Sequence, residues 1–419
     1  MSTILSDELL SGLMAVGQLD VLVGLPTLNH SDSVGPVVRA AHVAFNRELA
    51  RERTALLNMD GGSTDGTPDI VRDASIVDRE TLLASQSLRT RHRISAPYHG
   101  VPGKAAALRA VFAAADLLQA RAVVVLDPEI ASVTPESVAA LARPALAGDA
   151  DFVSPAYARH PLDGPLVTQV VRPLFRAAYG LALAEPLSGE FGCSGRFAAR
   201  CLEQPTWESE DLRLAIDLWI SGMATGDGLR VAEAAVGPRR LTARPRPAVA
   251  ALVPQVLDAL FTCLRLQEAG WAPGSRAIAV ARSAAPPPPP DPPANVDAAG
   301  YATLFREGLS ALGGMLERVL RPATLEALRA GAAADRPHVP DDLWAAVMLE
   351  LAAAHRHATI SRDHLVRAAV PLYLGRVASF AAELAGLEPR DADERLEALC
   401  LHFERSRGDL VALWTAPLR

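Results

Sequence analysis

The chain has 419 residues, of which 50% are hydrophobic and 21% charged, and this composition is typical of a globular protein with two or three domains. Its net charge of −7 argues against a general nucleic-acid or anionic-membrane binder, because such proteins present basic surfaces. The four cysteines form no C-x-x-C pair, so the sequence favours free, buried thiols over a zinc or disulfide framework. Since no apolar run approaches ~20 residues and residues 1–23 carry no Lys or Arg, we expect a cytoplasmic protein without a transmembrane segment.

The first 280 residues alternate short apolar runs with helical patterns. Strands are predicted at 20–25, 55–59 and 122–126. The consecutive valines of the third run favour a doubly buried parallel strand. Helical patterns lie between these runs at 34–52, 67–73 and 104–120. This alternation predicts an α/β domain with a mostly parallel sheet and helices on both faces.

A proline-rich stretch, SAAPPPPPDPP, follows at 283–293 and predicts an extended spacer, with a proline-rich recognition ligand as the alternative. Beyond it the pattern is helical only. One helical stripe is predicted over Phe305, Leu309, Leu312, Leu316 and Val319. Further helices are predicted around 343–351 and, with a proline inside, at 365–384. We therefore expect an α/β domain at 1–280, a linker at 281–297 and a helical domain at 298–419.

Polar and glycine-rich loops follow the first two predicted strands, where open α/β sheets place ligands. The first loop contains four candidate ligand contacts, Pro26, Thr27, Leu28 and Asn29. The second reads DGGSTDGT at 60–67, and its Asp60 is suited to accept a hydrogen bond from a nucleobase or ribose. It has neither the G-x-G-x-x-G nor the phosphate-loop spacing, and a capped turn is the structural alternative.

Two further features carry charge. Gly103 and Lys104 are predicted to begin a helix. A lysine ammonium at the positive, N-terminal end of the helix dipole is unfavourable unless an anion lies beside it, so a neighbouring phosphate is expected. Asp127 and Glu129 follow the valine strand and are candidate ligands of Mg²⁺ or Mn²⁺. If the strand continues through Pro128, both carboxylates point to the same side. A surface lysine and a solvated acidic turn are the structural alternatives.

In this order, PTLN, DGGSTDGT, PGK and DPE resemble the motifs of the GT-A nucleotide-sugar glycosyltransferases. The resemblance is greatest to the glucosyl-3-phosphoglycerate, mannosylglycerate and glucosylglycerate synthases. It covers about 21–280 by motif and the helical tail by pattern only. It implies a GT-A fold and a retaining transferase that places a hexose from a nucleoside-diphosphate sugar on a small hydroxy acid such as D-glycerate or 3-phosphoglycerate.

The resemblance also implies site residues. PLSGEF at 186–191 resembles the loop of that group at the sugar and acceptor site, and LAIDLW at 214–219 resembles its helix with an inward acidic residue. Asp217 would then lie beneath the anomeric centre. The remaining implied contacts, to the hexose and acceptor, come from Leu187, Ser188, Gly189 and Glu190.

The chain also departs from that pattern. The group usually shows Asp-x-Asp and a histidine as third metal ligand, whereas this chain has Asp127 with Glu129 and has GPRRLT at 237–242 in place of the histidine. Arg239 and Arg240 are therefore candidates to neutralise the diphosphate, beside or instead of a cation.

Two alternatives stay open. Glu210-Asp211 resembles the pair of inverting family-2-type transferases, with Asp211 as general base. A degenerate homologue would bind nucleotide without turnover. We also expect a homodimer, since the apolar stripes of the tail call for a packing partner.

Overall fold

The computed structural model describes residues 4–83, 92–97, 103–209, 211–226, 228–242, 249–272, 278–282 and 296–416. The chain forms two compact units. The sheet unit comprises Met1–Ala158, Leu187–Arg244 and Ala279–Pro288, and the helical unit comprises Arg159–Pro186, Pro245–Ile278 and Pro289–Arg419. Two segments that precede the proline run thus belong to the helical unit. The boundaries at 280 and 298 stay a prediction, and residues 283–295 of the linker lie outside the described residues.

The sheet unit contains an eight-stranded sheet in the order β3-β2-β1-β4-β6-β5-β7-β8. All pairings are parallel except those of β6, which runs antiparallel to β4 and β5. The predicted mostly parallel sheet is therefore confirmed. The strands are β1 Val21–Thr27, β2 Thr54–Asp60, β3 His92–Pro97, β4 Ala122–Val125, β5 Phe152–Ala158, β6 Phe191–Ser194, β7 Val231–Pro238 and β8 Val280–Arg282.

Helices cover both faces of this sheet, as predicted. Their bounds, numbered along the whole chain, are α1 Asp7–Val16, α2 Val34–Arg47, α3 Thr67–Leu83, α4 Lys104–Leu117, α5 Pro135–Leu146, α7 Gly195–Leu202 and α8 Leu212–Met223. Val23 of β1 packs in the core formed with α2 and α5. The next residue, Gly24, faces Val111 of α4, and a Cβ there would overlap that valine. Because successive strand residues point to opposite faces, α2 and α4 lie on opposite sides of the sheet.

The three predicted strands are confirmed and fully buried, since both of their faces are covered. The helices predicted between them differ from the structure at their ends. The helix predicted at 34–52 ends at Arg47, and that predicted at 104–120 ends at Leu117. The helix predicted at 67–73 continues to Leu83.

The helical unit contains α6 and all later helices. They are α6 Arg172–Tyr179, α9 Val249–Leu266, α10 Glu268–Trp271, α11 Ala298–Ala311, α12 Gly313–Val319, α13 Pro322–Ala333, α14 Asp341–Arg356, α15 Arg362–Leu384, α16 Pro389–Arg405 and α17 Arg407–Thr415. A π-helical turn, Val167–Val171, precedes α6. Over 296–416 the described chain contains helices and no strand, as predicted.

The prediction of one continuous helical stripe over 305–319 is wrong in one respect. The segment forms two helices, which divide at Leu312, directly before Gly313 and Gly314. Glycine is a poor helix former, and this pair ends α11 although the apolar spacing continues through it. The long helix predicted with an internal proline is confirmed, and Pro371 packs against Gly308, where a Cβ would overlap the proline ring.

Two helices of this unit are long and apolar enough to span a bilayer, Val249–Leu266 and Arg362–Leu384. Of the most apolar 18-residue segment of each helix, 50% is buried inside the protein in the first and 72% in the second. Core helices of soluble proteins also reach this length and hydrophobicity. The cytoplasmic location stays a prediction. All four cysteines are free and buried, as predicted.

Candidate functional site

One edge of the sheet collects the predicted site residues. The carboxyl ends of β1, β2, β4, β5 and β7 lie at this edge, because these strands run parallel. Strand β6 runs the other way, so its first residue lies there, and Phe191 pairs with Val125 of β4. Glu190 and Asp127 are therefore brought together by one antiparallel strand. The strand order also changes direction between β1 and β4, and such a switch point opens a crevice in α/β sheets.

The loops after β1 and β2 are joined by hydrogen bonds. The backbone N–H of Asn29 donates to Ser63 Oγ at 2.8 Å, and Asn29 Oδ1 accepts from the N–H of Thr64 at 2.9 Å. Asn29 adopts a left-handed conformation, φ 56°, which asparagine tolerates better than most residues. The N–H of His30 donates to Thr67 Oγ1 at 2.7 Å. The two predicted ligand loops thus form one connected surface.

Asp60 organises the second loop. Its Oδ1 accepts from Thr27 Oγ1 at 3.0 Å and from Ser63 Oγ at 2.6 Å. Its Oδ2 accepts from the N–H groups of Gly62 at 3.0 Å and Ser63 at 2.8 Å. Both carboxylate oxygens therefore hold the loop in place, and the side chain is 6% exposed. Desolvation raises the pKa of the neighbouring Asp65, but hydrogen bonds from Thr67 and Ser31 outweigh it and hold that pKa below its usual range.

Lys104 connects two other predicted parts of the site, Asp217 of α8 and the 187–190 loop. Its Nζ lies 2.8 Å from Asp217 Oδ1 and donates to the carbonyl oxygen of Gly189 at 3.1 Å. Gly103 is the N-cap residue of α4, so the lysine is its first helical residue, as predicted. Burial lowers the pKa of Lys104, but Asp217 and Asp127 more than offset it and raise that pKa, so the ammonium stays charged. Asp217, on α8, is thereby fixed beside the 187–190 loop.

Glu190 is the most deeply buried acid of the site, at 2% exposure. Its Oε1 accepts a hydrogen bond from the hydroxyl of Tyr157 at 2.7 Å, and its N–H donates to Ser188 Oγ at 3.2 Å. Its Oε2 is buried and has no hydrogen-bond partner within the described part of the chain. Burial raises the pKa of Glu190 to about 7, although Tyr157 opposes the shift. A buried oxygen without a partner is costly in a stable protein, so this atom is suited to a ligand.

Asp127 and Glu129 do not lie on a strand. The prediction that strand alternation points both carboxylates to the same side is therefore wrong. Strand β4 ends at Val125, and Pro128 and Glu129 form a turn. The N–H of Glu129 donates to Asp127 Oδ1 at 2.9 Å, and Glu129 Oε1 lies 3.6 Å from His30 Nε2. The Asp127 carboxylate packs against Gly189, where a Cβ would overlap it.

These carboxylates suit a cation only in part. Among the described residues, no group of three or more His, Cys, Asp and Glu side chains is placed to hold a metal ion. His30 is not placed as a third ligand, because its Nδ1 accepts from the N–H of Leu28 at 2.9 Å and its Nε2 lies 3.6 Å from Glu129 Oε1. In the described part of the chain two carboxylates are thus placed for a cation, which suits Mg²⁺ only if diphosphate and water complete its ligands.

The remaining predicted residues are spread around this edge. Arg239, just after β7, lies 5.7 Å from the ring centroid of Tyr157, while Arg240 is exposed and its N–H donates to Ser132 Oγ. Asp211 is the N-cap residue of α8. At about 100° per residue it lies on a different side of that helix from Asp217. Pro26 is buried in β1, Leu28 is exposed and Leu187 is half-buried. Pro102 and Glu210 lie outside the described residues.

Tyr157 and the pairing of His30 with Glu129 are not predicted from the sequence. The segment FVSPAYA alternates poorly and contains a proline, so the strand that places Tyr157 was not predicted. The residue type of Tyr157 is the only indication in the sequence, because a buried tyrosine hydroxyl usually has a hydrogen-bond partner.

A cleft of about 600 Å³ lies at the opposite edge of the sheet, lined among others by Asp151 and Arg196. Arg196 donates to Asp151 at 2.6 Å, so these two charged side chains are paired with each other. Glu190, with its buried oxygen that lacks a hydrogen-bond partner among the described residues, lies at the carboxyl ends of the strands instead.

No protein-family model and no curated protein matches the chain. The chain is similar to solved structures of glucosyl-3-phosphoglycerate synthase from Mycobacterium tuberculosis. One of these, in complex with Mn²⁺, uridine-diphosphate-glucose and phosphoglyceric acid, is 21% identical, with 60% of this chain and 81% of that chain covered and a TM-score of 0.41. Another, with Mg²⁺ and uridine-diphosphate, is 21% identical with 61% and 82% covered and a TM-score of 0.41. A structure described as a mycobacterial protein is 23% identical, with 60% and 76% covered and a TM-score of 0.42.

Proposed function

We propose that the protein is a glycosyltransferase that moves a hexose, glucose or mannose, from a nucleoside-diphosphate sugar to a small hydroxy acid such as D-glycerate or 3-phosphoglycerate, with retention of configuration. One observation carries the proposal: the separate motifs that resemble this enzyme group converge on one edge of the sheet around a buried glutamate with an unsatisfied oxygen. These motifs are far apart in sequence, so their convergence is not imposed by local structure.

Each part of the edge has a task in this reaction. The joined loops at 26–29 and 60–67 would hold the nucleoside, and Gly103 would let the diphosphate approach the start of α4. Lys104 and Arg239 bring positive charge to the site, which stabilises the negative charge that develops on the leaving diphosphate. Arg240 is exposed and is proposed as an outer contact.

The sugar would lie over the 187–190 loop. Glu190 has one oxygen free for a ligand hydroxyl, and Leu187, Ser188 and Gly189 shape the loop around it. Asp217, held by Lys104, is proposed to lie beneath the anomeric carbon, where a carboxylate stabilises the positive charge of an oxocarbenium-like transition state.

A divalent cation is part of the proposal. Asp127 and Glu129 would hold it together with the diphosphate, and the bound ion would supply charge neutralisation of the leaving group. Because the described residues place only these two carboxylates for a cation, we expect little binding of Mg²⁺ or Mn²⁺ to the free protein.

A turnover screen tests the function. UDP-, GDP- and ADP-linked glucose and mannose are offered with D-glycerate and 3-phosphoglycerate, with and without Mg²⁺ or Mn²⁺, and the anomer of the product is read by NMR. A retained anomer supports the proposal. An inverted anomer would make Asp211 the general base, and nucleotide binding without any turnover would indicate a degenerate homologue.

We expect Asp60→Ala to weaken nucleoside-diphosphate binding by about 1–3 kcal/mol, the cost of a lost buried polar partner. The loss includes release of the loop that Asp60 holds with four hydrogen bonds. Isothermal calorimetry measures it, with Asp69→Ala, an exposed side chain in the first turn of α3, as the matched control. Equal affinity of the Asp60 variant and the native protein for every nucleotide tested would contradict a role in nucleotide binding.

A further inference from the structure

We propose that Tyr157 is a positioning residue for the transfer reaction: it holds one oxygen of Glu190 so that the other is presented to a hydroxyl group of the sugar or the acceptor. This inference rests on the proposed function and adds a residue that the sequence motifs do not contain. It starts from the hydrogen bond of 2.7 Å between the Tyr157 hydroxyl and Glu190 Oε1.

The Tyr157 hydroxyl donates this hydrogen bond to Glu190 Oε1. Burial raises the pKa of Tyr157 far above its usual value, and the nearby Glu190 raises it further, so the phenol keeps its proton and donates. Glu190 Oε1 is thereby occupied by the protein. With its N–H bound to Ser188, the glutamate is held from both its backbone and its side chain.

The position of Tyr157 is itself held by the fold. Strand β5 pairs with β7, and the register shifts after Ala156, so that Tyr157 faces Gly237 and Val236 is the extra residue. Such a bulge re-aims side chains near a strand end, and Gly237 has the positive φ of 85° that favours glycine. Arg239, two residues further along, lies over the tyrosine ring. The ring is therefore contacted by Arg239, just after β7, and its hydroxyl is bound to the glutamate.

In the Glu190 carboxyl group, Oε1 is therefore hydrogen-bonded to Tyr157, while Oε2 has no partner among the described residues and can bind a ligand. Without the tyrosine, Oε1 would also lack a partner, and the side chain would be free to change rotamer. A loss of orientation lowers the rate more than it lowers affinity for parts of the substrate that bind elsewhere.

The test uses Tyr157→Phe, Glu190→Gln and the double variant in the full chain. Tyr157→Phe keeps the ring and its contact with Arg239 while removing the hydroxyl. We expect kcat to fall about 10- to 100-fold, with the affinity for the nucleoside diphosphate alone unchanged. A rise of KM for the sugar nucleotide or for the acceptor tells which hydroxyl Glu190 receives. The double variant should be no slower than Glu190→Gln, because Tyr157 acts through that residue.

Tyr179→Phe is the matched control. This tyrosine of the helical unit is also buried and donates to Gln267 at 2.7 Å, so the variant makes the same deletion away from the proposed site. Its turnover should equal that of the native protein. If the native protein turns over and Tyr157→Phe is equally active, or if the losses of the two single variants multiply, the inference is overturned while the function stands. No turnover of the native protein with any sugar nucleotide would overturn the proposed function and this inference with it.

Discussion

Replacement of Asp127 by asparagine should lower the turnover number by about 10³-fold, or about 4 kcal/mol of transition-state stabilisation. The Asp127 carboxylate lies against Gly189 and interacts electrostatically with Lys104 and Glu190. It thus lies at the end of the sheet where the other predicted site residues are found. Asparagine keeps the shape and can still accept the hydrogen bond from the N–H of Glu129, so the loss would report the missing charge. Initial rates with saturating donor and acceptor measure it.

Asp149→Asn is the control, because this exposed aspartate lies before β5, at the opposite edge of the sheet. Its rate should match that of the native protein. Calorimetry should show Mg²⁺ binding only after the nucleotide is added, and the Asp127 variant should lose that binding. Full activity in excess EDTA would contradict the cation proposal and would leave Lys104, Arg239 and Arg240 as the groups that neutralise the diphosphate.

The sequence was informative where local pattern and burial agree. Strands β1, β2 and β4 are continuous apolar runs, and a strand covered on both faces requires that pattern. The loops after them follow from the rule that ligands lie at carboxyl ends of parallel strands. The convergence of Asp60, Lys104 and Asp127 at one edge could therefore be expected, and the structure shows it.

The rest depends on contacts between distant residues. Strand β6 reads FGCS, four residues with a glycine and no alternation, and becomes a strand only because β4 and β5 pair with it. Its antiparallel direction brings Glu190 to the site, yet nothing in its own sequence encodes that direction. Similarly, the indole N–H of Trp344 donates to the carbonyl oxygen of Gln169, 175 residues earlier, within the helical unit. Sequence spacing alone does not reveal that such segments share one compact unit.

Within the helical unit, Arg376 should be the most costly charge to remove. Its side chain is fully buried on α15. It donates to Asp341 at 2.9 Å, to the carbonyl oxygen of Val339 at 2.6 Å and to Gln169 Oε1 at 2.9 Å. Each of these acceptors would lose a buried partner if the guanidinium were removed, and breaking a buried ion pair in this way typically costs about 3–5 kcal/mol.

We therefore expect Arg376→Met to lower the free energy of unfolding by about 3–5 kcal/mol, since methionine fills part of the volume but donates no hydrogen bond. At about 2–4 °C per kcal/mol, the thermal midpoint should fall by roughly 6–20 °C. Arg367→Met on the same helix is the matched control. Arg367 and its partner Asp363 are each 65% exposed, and such surface pairs contribute little. If both variants melt together with the native protein in calorimetry, the network of Arg376 does not stabilise the helical unit. A fall confined to Arg376→Met would instead locate that stability in the single buried guanidinium, because the helix, the charge removed and the residue introduced are the same in both.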